Sequence, residues 1–106
     1  MSIKLTAKLT ASVFAITIMS FSLPAFSNDG EAIYKKTCKL CHATGMLESP
    51  KFADKDAWKD RIAKGKDVLY DHAINGFNKM LPKGGKKSLS DDEVKAAVDY
   101  MVDAAK

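Results

Sequence analysis

The sequence has few of the residues on which disulfide, metal and nucleophile chemistry depend. Its 106 residues include only two cysteines, two histidines, one tryptophan and three prolines. Two cysteines can form one bridge at most, so a disulfide-rich framework is excluded. We find no phosphate-binding glycine loop, no general-base pair and no nucleophile with a partner base. The side chains alone therefore give no indication of an enzyme.

The sequence also lacks an apolar run long enough for a convincing membrane-spanning helix, which needs roughly 18 or more mainly apolar residues. Its most apolar stretch, residues 9–23, is interrupted by serines and threonines. Lys4 and Lys8 precede this stretch, and Ala25-Phe26-Ser27 follows it with small residues at the positions that signal peptidase reads. We therefore predict an export signal over residues 1–27, cleaved after Ser27 or alternatively Ala25. A retained membrane anchor is the competing interpretation.

Neither sign of charge is in large excess in the predicted mature chain. Of the 17 Lys and Arg residues, Lys4 and Lys8 belong to the signal, which leaves 15 against 13 Asp and Glu. A surplus of two positive charges does not support nucleic-acid binding through bulk charge.

Residues 28–106 contain no repeat, linker or low-complexity run, so they form one small domain. A domain of this size buries only about 60% of its unfolded surface and usually needs a covalent or metal staple.

The most informative feature is the segment Cys38-Lys39-Leu40-Cys41-His42, which matches the C-x-x-C-H attachment motif of a c-type haem. Two thiols three residues apart can each add to one vinyl group of a single haem, and the adjacent imidazole can bind the iron. We predict one covalently attached haem c per chain, with Cys38 and Cys41 as attachment residues and His42 as an axial ligand. This haem is the staple that the small domain needs, and we expect the haem-free chain to be mostly unfolded.

The two cysteines have three other conceivable uses. A disulfide between them would close a very short and strained loop. A thioredoxin-like pair should follow a strand and open a helix, whereas these cysteines close a helix. A zinc site could combine them with His42 and His72, but adjacent Cys41 and His42 fit one tetrahedron poorly.

Hydrophobic periodicity predicts an all-α fold with four main helices and no strand. The first runs from Asp29 to Cys41, and a single α-helical face from Gly30 to Cys41 carries both cysteines. The second begins at Asp54 or Asp56 and ends at Gly65. The third, from Asp67 to about Gly76, carries an apolar stripe of Tyr70, Ala73, Ile74 and Phe77. The last begins with a capping box of Ser90 and Glu93 and a staple of Leu89 and Val94; its stripe is Val94, Ala97, Val98, Met101 and Ala105.

A second axial ligand is expected from the loop between the third and last helices. Met80 lies in this loop, where Pro82, Gly84 and Gly85 can shape the chain so that the sulfur points inward. His72 is the competing ligand, and an open or water-bound iron is the third possibility.

The spacing Gly30-x3-Tyr34-x3-Cys38-x2-Cys41-His42, followed by Met80-x-Pro82-Lys83-Gly84-Gly85, resembles class I cytochrome c and, more narrowly, the small bacterial cytochrome c₅ group. The resemblance covers residues 29–105 and implies the class I fold of four main helices around one haem. It implies that Gly30 lets the first and last helices cross closely, with Tyr34 and Tyr100 near the crossing. It further implies that the Pro50 carbonyl accepts a hydrogen bond from His42, and that Trp58 and Arg61 bind the haem propionates. We therefore expect a haem environment that consists of Pro50, Trp58, Arg61 and Tyr34. Leu81 departs from the family, which often has a proline there.

We accordingly expect a periplasmic, monomeric electron carrier, not an enzyme, with redox proteins as its partners. A membrane quinol dehydrogenase or another cytochrome would be the donor, and a terminal oxidase or reductase the acceptor. The competing hypothesis is a haem enzyme or gas sensor with a displaceable sixth ligand. No small-molecule substrate or nucleic acid is expected. The segment from Phe77 to Ser90 lacks acidic residues, and we predict a positive docking ring that consists of Lys39, Lys79, Lys83, Lys86 and Lys87, the alternative being a merely solvated face.

Overall fold

A computed structural model describes residues 2, 10, 12–18 and 29–106. Of the predicted export signal, only residues 2, 10 and 12–18 are therefore described, and both candidate cleavage positions, Ala25 and Ser27, lie outside the described residues. Within the described part of the chain, no helix has both the length and the apolar character needed to cross a membrane.

Residues 29–106 are mostly helical and contain no strand, which confirms the all-α prediction. The helices are α1 (Gly30–Ile33), α2 (Lys39–His42), α3 (Lys55–Ala63), α4 (Lys66–Asn75) and α5 (Asp91–Ala104). A π-helical turn, Tyr34–Cys38, joins α1 to α2, so these three segments form one continuous helical stretch. Short 3₁₀ turns occur at Met46–Glu48 and Pro82–Gly85. The four main helical stretches agree with the predicted architecture.

Side-chain caps explain where the helices begin. The carboxylates of Asp29 and Asp54 accept hydrogen bonds from the backbone N–H groups three residues later, each at 3.1 Å. The Ser90 hydroxyl accepts from the Glu93 N–H at 3.1 Å, and the Glu93 carboxylate accepts from the Ser90 N–H at 3.0 Å. These bonds satisfy N–H groups that the helix itself leaves unpaired. The predicted capping box is confirmed.

The π-helical turn changes the register of the first helical stretch. The N–H of Lys39 donates to the carbonyl of Tyr34, five residues earlier, where an α-helix would use the fourth. This inserts one extra residue, so the face of α1 is offset from the face of α2. The prediction of one uninterrupted α-helical face from Gly30 to Cys41 is therefore wrong, although the extent of the helical stretch is right.

The close crossing of α1 and α5 requires a glycine. A Cβ atom on Gly30 would lie 2.1 Å from the carbonyl oxygen of Ala96, a distance that no side chain can occupy. Beside the crossing, the rings of Tyr34, Phe52 and Tyr100 pack together with centroids 4.7 to 5.5 Å apart. The α5 stripe is buried as predicted, and Val102 of the same helix is fully buried.

The predicted stripe of the third helix is partly wrong. Leu69 and Ala73 are the buried residues of α4, whereas Tyr70 and Ile74 are half-buried. Phe77 is 42% exposed and lies beyond the helix. The reason is Gly76, whose φ of +88° ends α4 and takes Phe77 out of the helical register.

Candidate haem site

A cavity of about 410 Å³ lies between the end of α2 and the loop that follows α4. His42 and Met80 both line it, which brings the two predicted axial ligands to one space. Apolar side chains from the last two helices form part of its wall: Leu69, Ala73, Val98 and Met101. A neutral nitrogen ligand, a thioether sulfur and an apolar wall suit a haem, so the residues fit the group that the C-x-x-C-H motif implies.

His42 is held in a defined orientation at the end of α2. The side chain is 8% exposed, and its Nδ1–H donates to the carbonyl oxygen of Pro50 at 2.9 Å. Burial lowers the pKa of the imidazole, the charge of Arg61 lowers it further, and the Pro50 carbonyl opposes both effects. Since Nδ1 carries the proton in this hydrogen bond, the lone pair resides on Nε2 and can serve as an iron ligand.

The loop after His42 brings the Pro50 carbonyl back to the ring. The Phe52 N–H donates to the His42 carbonyl at 2.7 Å and closes the loop. Within it, Gly45, Leu47 and Glu48 have φ values of +79°, +54° and +63°. Two successive non-glycine residues in the left-handed region are unusual and are found where surrounding structure fixes the backbone.

Met80 is presented by a two-residue turn. The Phe77 N–H donates to the Met80 carbonyl at 3.1 Å, and the Met80 N–H donates to the Phe77 carbonyl at 2.9 Å. Asn78 lies inside this turn with a φ of +52°, which asparagine tolerates better than most residues. A Cβ on Gly76 would come within 3.0 Å of both the Met80 carbonyl oxygen and Pro82 Cδ. Gly76 therefore permits the tight turn that aims Met80 at the cavity.

The two cysteines lie just before His42, and no disulfide joins them. Cys38 packs against the core, and burial raises the pKa of its thiol to about 11. Cys41 is half-buried. Both residues are on the helical stretch that ends in His42, although neither thiol is part of the cavity wall.

Trp58 does not have the environment predicted for a propionate donor. Its side chain is 4% exposed, and its Nε1–H already donates to the Lys51 carbonyl at 2.9 Å. The ring lines the cavity, with its centroid 6.1 Å from that of His42. Trp58 therefore lies in the predicted haem environment, but its single N–H donor is occupied in this structure, and a bond from it to a propionate stays a prediction.

Arg61 has free N–H donors with which it could bind a haem propionate, the role that the resemblance implies for it. It is half-buried and lines the cavity, and one guanidinium nitrogen donates to the Ala57 carbonyl at 2.5 Å. A guanidinium has five N–H donors, so most remain available for a carboxylate.

Tyr34 does not line the cavity, which corrects its assignment to the haem environment. The close approach of α1 and α5 places its ring between Phe52 and Tyr100 instead. The packing near the Gly30 crossing, which the resemblance also implied, is present.

His72 lines the same cavity as Met80, so both predicted candidates for the second ligand are close to it. The His72 ring stacks on Phe77 with centroids 3.8 Å apart and planes 4° apart.

Several further residues of the cavity wall were not predicted from the sequence: Leu47, Glu48, Asp60, Lys64, Phe77 and Asn78. The pairing of Gly76 with Asn78 around Met80, both residues that tolerate positive φ, is the sequence signal that could have indicated the turn.

The predicted docking lysines differ in their surroundings. Lys39, Lys86 and Lys87 are exposed, and Lys79 forms an exposed ion pair with Glu48 at 3.4 Å. Lys83 is only 21% exposed, and its Nζ lies 3.0 Å from Asp91 Oδ1 and 2.7 Å from the Leu89 carbonyl oxygen. Lys83 thus has intramolecular partners for its charge, and its part in the docking ring stays a prediction. Acidic residues line a separate cleft at the α1–α5 crossing: Asp29, Glu31, Asp99 and Asp103.

Comparison with known proteins agrees with this geometry. A family model described as cytochrome c oxidase, cbb3-type, subunit III matches residues 25–101. Cytochrome c-555 of Chlorobaculum thiosulfatiphilum is 44% identical over 81 residues, which cover 73% of this chain and 94% of that protein. Cytochrome c5 of Azotobacter vinelandii is 44% identical over 77 residues, which cover 71% and 93%.

Solved structures give the same result. A chain from the crystal structure of an electron transfer complex of nitrite reductase with cytochrome c is 40% identical, with a TM-score of 0.70, covering 74% of this chain and 95% of its own. A mono-haem ferrocytochrome c from Shewanella putrefaciens is also 40% identical, with a TM-score of 0.62, covering 69% and 90%.

The chain belongs to the class I c-type cytochromes. Within that class it is similar to the small monohaem proteins named c5 and c-555, as the resemblance in the sequence had implied. Proteins of this family are electron carriers that use haem c. The prediction of an electron carrier in place of an enzyme is confirmed at this level.

Proposed function

We propose that the mature protein, residues 28–106, is a periplasmic carrier that moves single electrons between respiratory redox proteins. The observation that supports this most strongly is that Met80 lines the same cavity as His42, the histidine of the C-x-x-C-H motif. When bound, haem c supplies a one-electron Fe(III)/Fe(II) couple. Two retained axial ligands suit electron transfer, because they leave no iron position for a substrate.

Each protein group has a distinct part in this proposal. Cys38 and Cys41 hold one haem through thioether bonds, and His42 binds iron through Nε2 while Pro50 fixes its ring. Met80 supplies the second ligand, a soft sulfur that favours the ferrous state and so raises the potential. The apolar wall excludes water, which disfavours the additional positive charge of the ferric form. Arg61 offers N–H donors to a propionate.

Redox proteins are the proposed partners. The neighbour seen in a complex with nitrite reductase supports this class of partner. We propose a membrane quinol dehydrogenase or another cytochrome as donor, and a terminal oxidase or reductase as acceptor. The exposed lysines Lys39, Lys79, Lys86 and Lys87 would guide the encounter with an acidic partner surface, since charge complementarity raises association rates more than affinity.

Intact mass and haem extraction test the cofactor and the processing together. Protein recovered from the periplasmic fraction should have the mass of residues 28–106 plus one haem, and acid–acetone should leave the haem attached. Cys38→Ser and Cys41→Ser should each remove one thioether, and the double variant should release its haem. A mass that includes residues 1–27 would disprove the cleaved signal, whereas extractable haem in the wild type would disprove covalent attachment.

Electron transfer itself is tested by stopped-flow spectroscopy with purified quinol dehydrogenases and oxidases from the periplasmic respiratory chain. The wild-type protein should be reduced and reoxidised without consuming hydrogen peroxide. Measurable peroxide turnover by the wild type, with no electron transfer to any of these proteins, would overturn the proposal in favour of a haem enzyme.

A further inference from the structure

The loop that carries Met80 has few anchors of its own. From Leu81 to Ser88, every residue except Lys83 is exposed. Leu81 itself is 65% exposed, and the family proline that would stiffen this position is absent. The loop therefore cannot be held by burial of its own apolar side chains.

Lys83 is the exception, and its ammonium reaches across the loop to the start of α5. Its Nζ donates to the Leu89 carbonyl at 2.7 Å and pairs with the Asp91 carboxylate at 3.0 Å. Leu89 is buried, so these contacts join the loop to a fixed part of the core. Hydrogen bonds from a charged donor are stronger than those between neutral groups. Since the Asp91 carboxylate is 62% exposed, solvent screens the ion pair, and the bond to the Leu89 carbonyl is the better protected of the two contacts.

The backbone at Lys83 indicates that the side chain is retained for these contacts. Lys83, Gly84 and Gly85 have φ values of +55°, +63° and +89°. The left-handed region disfavours any residue with a Cβ, and glycine occupies the next two positions. A positive charge beside a helix N-terminus is also unfavourable unless it is neutralised, as Asp91 does here.

We infer that Lys83 is a positioning residue that straps the Met80 loop to the first turn of α5 and keeps the methionine sulfur on the iron. The inference rests on the proposed function in one respect, namely that Met80 is the axial ligand. Lys83 contacts neither ligand nor cavity directly, and it acts through the short chain segment Met80-Leu81-Pro82 that separates it from the sulfur.

Imidazole binding to the ferric holoprotein tests the strap, because imidazole must displace Met80 from the iron. Lys83→Met keeps the aliphatic stem but removes the donors, and it should raise the apparent imidazole affinity at least about tenfold. Lys83→Arg keeps a charged donor and should remain within about threefold of the wild type. Lys86→Met makes the same charge change in the same loop and should have little effect.

Asp91→Asn gives an independent measurement that leaves Lys83 in place. It should raise imidazole affinity in the same direction as Lys83→Met but by less, because the Leu89 contact persists. Asp92→Asn is its matched control, since Asp92 is exposed on the same helical turn and contributes equally to the helix N-terminal charge. If Lys83→Met does not yield holoprotein, the difference between Asp91→Asn and Asp92→Asn still decides the inference.

Amide hydrogen exchange separates failure of the strap from failure of the ligand assignment. Lys83→Met should speed exchange of the Phe77 and Met80 amides at least about tenfold relative to Lys86→Met, whichever residue binds the iron. Equal exchange and equal imidazole affinity in these two variants would overturn the strap. A wild-type ferric protein without near-infrared sulfur-to-iron absorption would instead overturn Met80 as the ligand.

Discussion

The Nδ1 atom of His42 lies 2.9 Å from the carbonyl oxygen of Pro50, a residue eight positions further along the chain. This contact couples the end of α2 to the loop that follows it. It sets both the tautomer and the rotation of the imidazole, and thus the direction in which Nε2 is presented. The loop is accordingly part of the ligand environment, although none of its own side chains needs to bind the iron.

Acid should disrupt this site through His42. Burial holds the pKa of the folded imidazole below its ordinary value of about 6.5, so folding favours the neutral ring. The corresponding stabilisation is complete above the unfolded pKa and is lost as pH falls through the folded pKa. Iron coordination competes with the proton and should move the transition lower still. An acid titration followed by visible absorption and circular dichroism would measure it. His72→Gln should leave the midpoint unchanged. A shifted midpoint in that variant would show that His72, and not His42, is responsible for the transition.

Removal of Met80 should change the iron environment without unfolding the protein. Met80→Ala should lose the weak near-infrared absorption of sulfur-ligated ferric haem, and its reduced form should bind carbon monoxide rapidly. The wild type should bind carbon monoxide slowly at neutral pH. His72→Ala is the matched variant on the same cavity and should keep the absorption. Absence of this absorption in the wild type, together with a haem spectrum that changes in His72→Ala but not in Met80→Ala, would identify His72 as the ligand.

Gly30→Ala should destabilise the protein strongly. The new Cβ would lie 2.1 Å from a backbone carbonyl, so α1 and α5 must separate. Overpacking of this kind typically costs 1–3 kcal/mol, and we expect a loss of about 3 kcal/mol in unfolding by guanidinium chloride. Glu31→Ala changes the adjacent exposed residue and should cost less than about 1 kcal/mol. Similar losses in the two variants would contradict a steric origin.

Trp58→Phe should affect stability more than redox chemistry. The change keeps an aromatic ring beside His42 but leaves the Lys51 carbonyl without its donor, which should cost roughly 1–3 kcal/mol. Because the indole N–H is already occupied, the pH dependence of the midpoint potential should resemble that of the wild type. Denaturant unfolding and protein-film voltammetry measure the two effects. An altered potential profile with unchanged stability would restore Trp58 as a propionate donor.

Small redox reagents of opposite charge can test the exposed lysines without a known partner. Oxidation of the ferrous protein by anionic hexacyanoferrate(III) should slow as salt rises from 0.01 M to 0.1 M, where the Debye length falls from about 30 Å to about 10 Å. Lys86→Glu with Lys87→Glu should slow this reaction at low salt and accelerate oxidation by cationic tris(phenanthroline)cobalt(III). Lys106→Glu is the control, because Lys106 lies at the opposite end of α5, about 20 Å along the helix from the lysine-rich loop. If the rates depend neither on salt nor on these substitutions, the lysines have no steering role and serve only to keep the surface solvated.

Local signals in the sequence predicted the helices well and the cavity less well. Asp54, Ser90 and Glu93 act on N–H groups within four residues, so their caps follow from sequence alone. The α5 stripe is equally local, because one helix face repeats regularly. These features located the helical stretches, whereas the C-x-x-C-H motif and the proline- and glycine-bearing loop indicated the segments that contain His42 and Met80.

Contacts between distant segments could not be predicted in the same way. Trp58 was expected to bind a propionate, but its N–H meets a carbonyl seven residues earlier in an irregular loop. Lys83 was assigned to the docking ring because lysines cluster in a segment without acidic residues, whereas its partners become available only when the loop folds against α5. The π-helical turn at Tyr34–Cys38 left no composition signal, since its five residues also suit an α-helix.

The π-helical turn divides one continuous helical stretch into two segments with different helical registers. Residues before the turn pack against α5, where Gly30 permits the close crossing. Its last residue, Cys38, and the following α2 residues Cys41 and His42 form the attachment motif. Deleting one residue inside the turn would restore a single α-helical register. It would also rotate the attachment motif by roughly 100° relative to the crossing of α1 and α5. The extra residue thus lets the contact with α5 and the attachment motif use different faces of one continuous helical stretch.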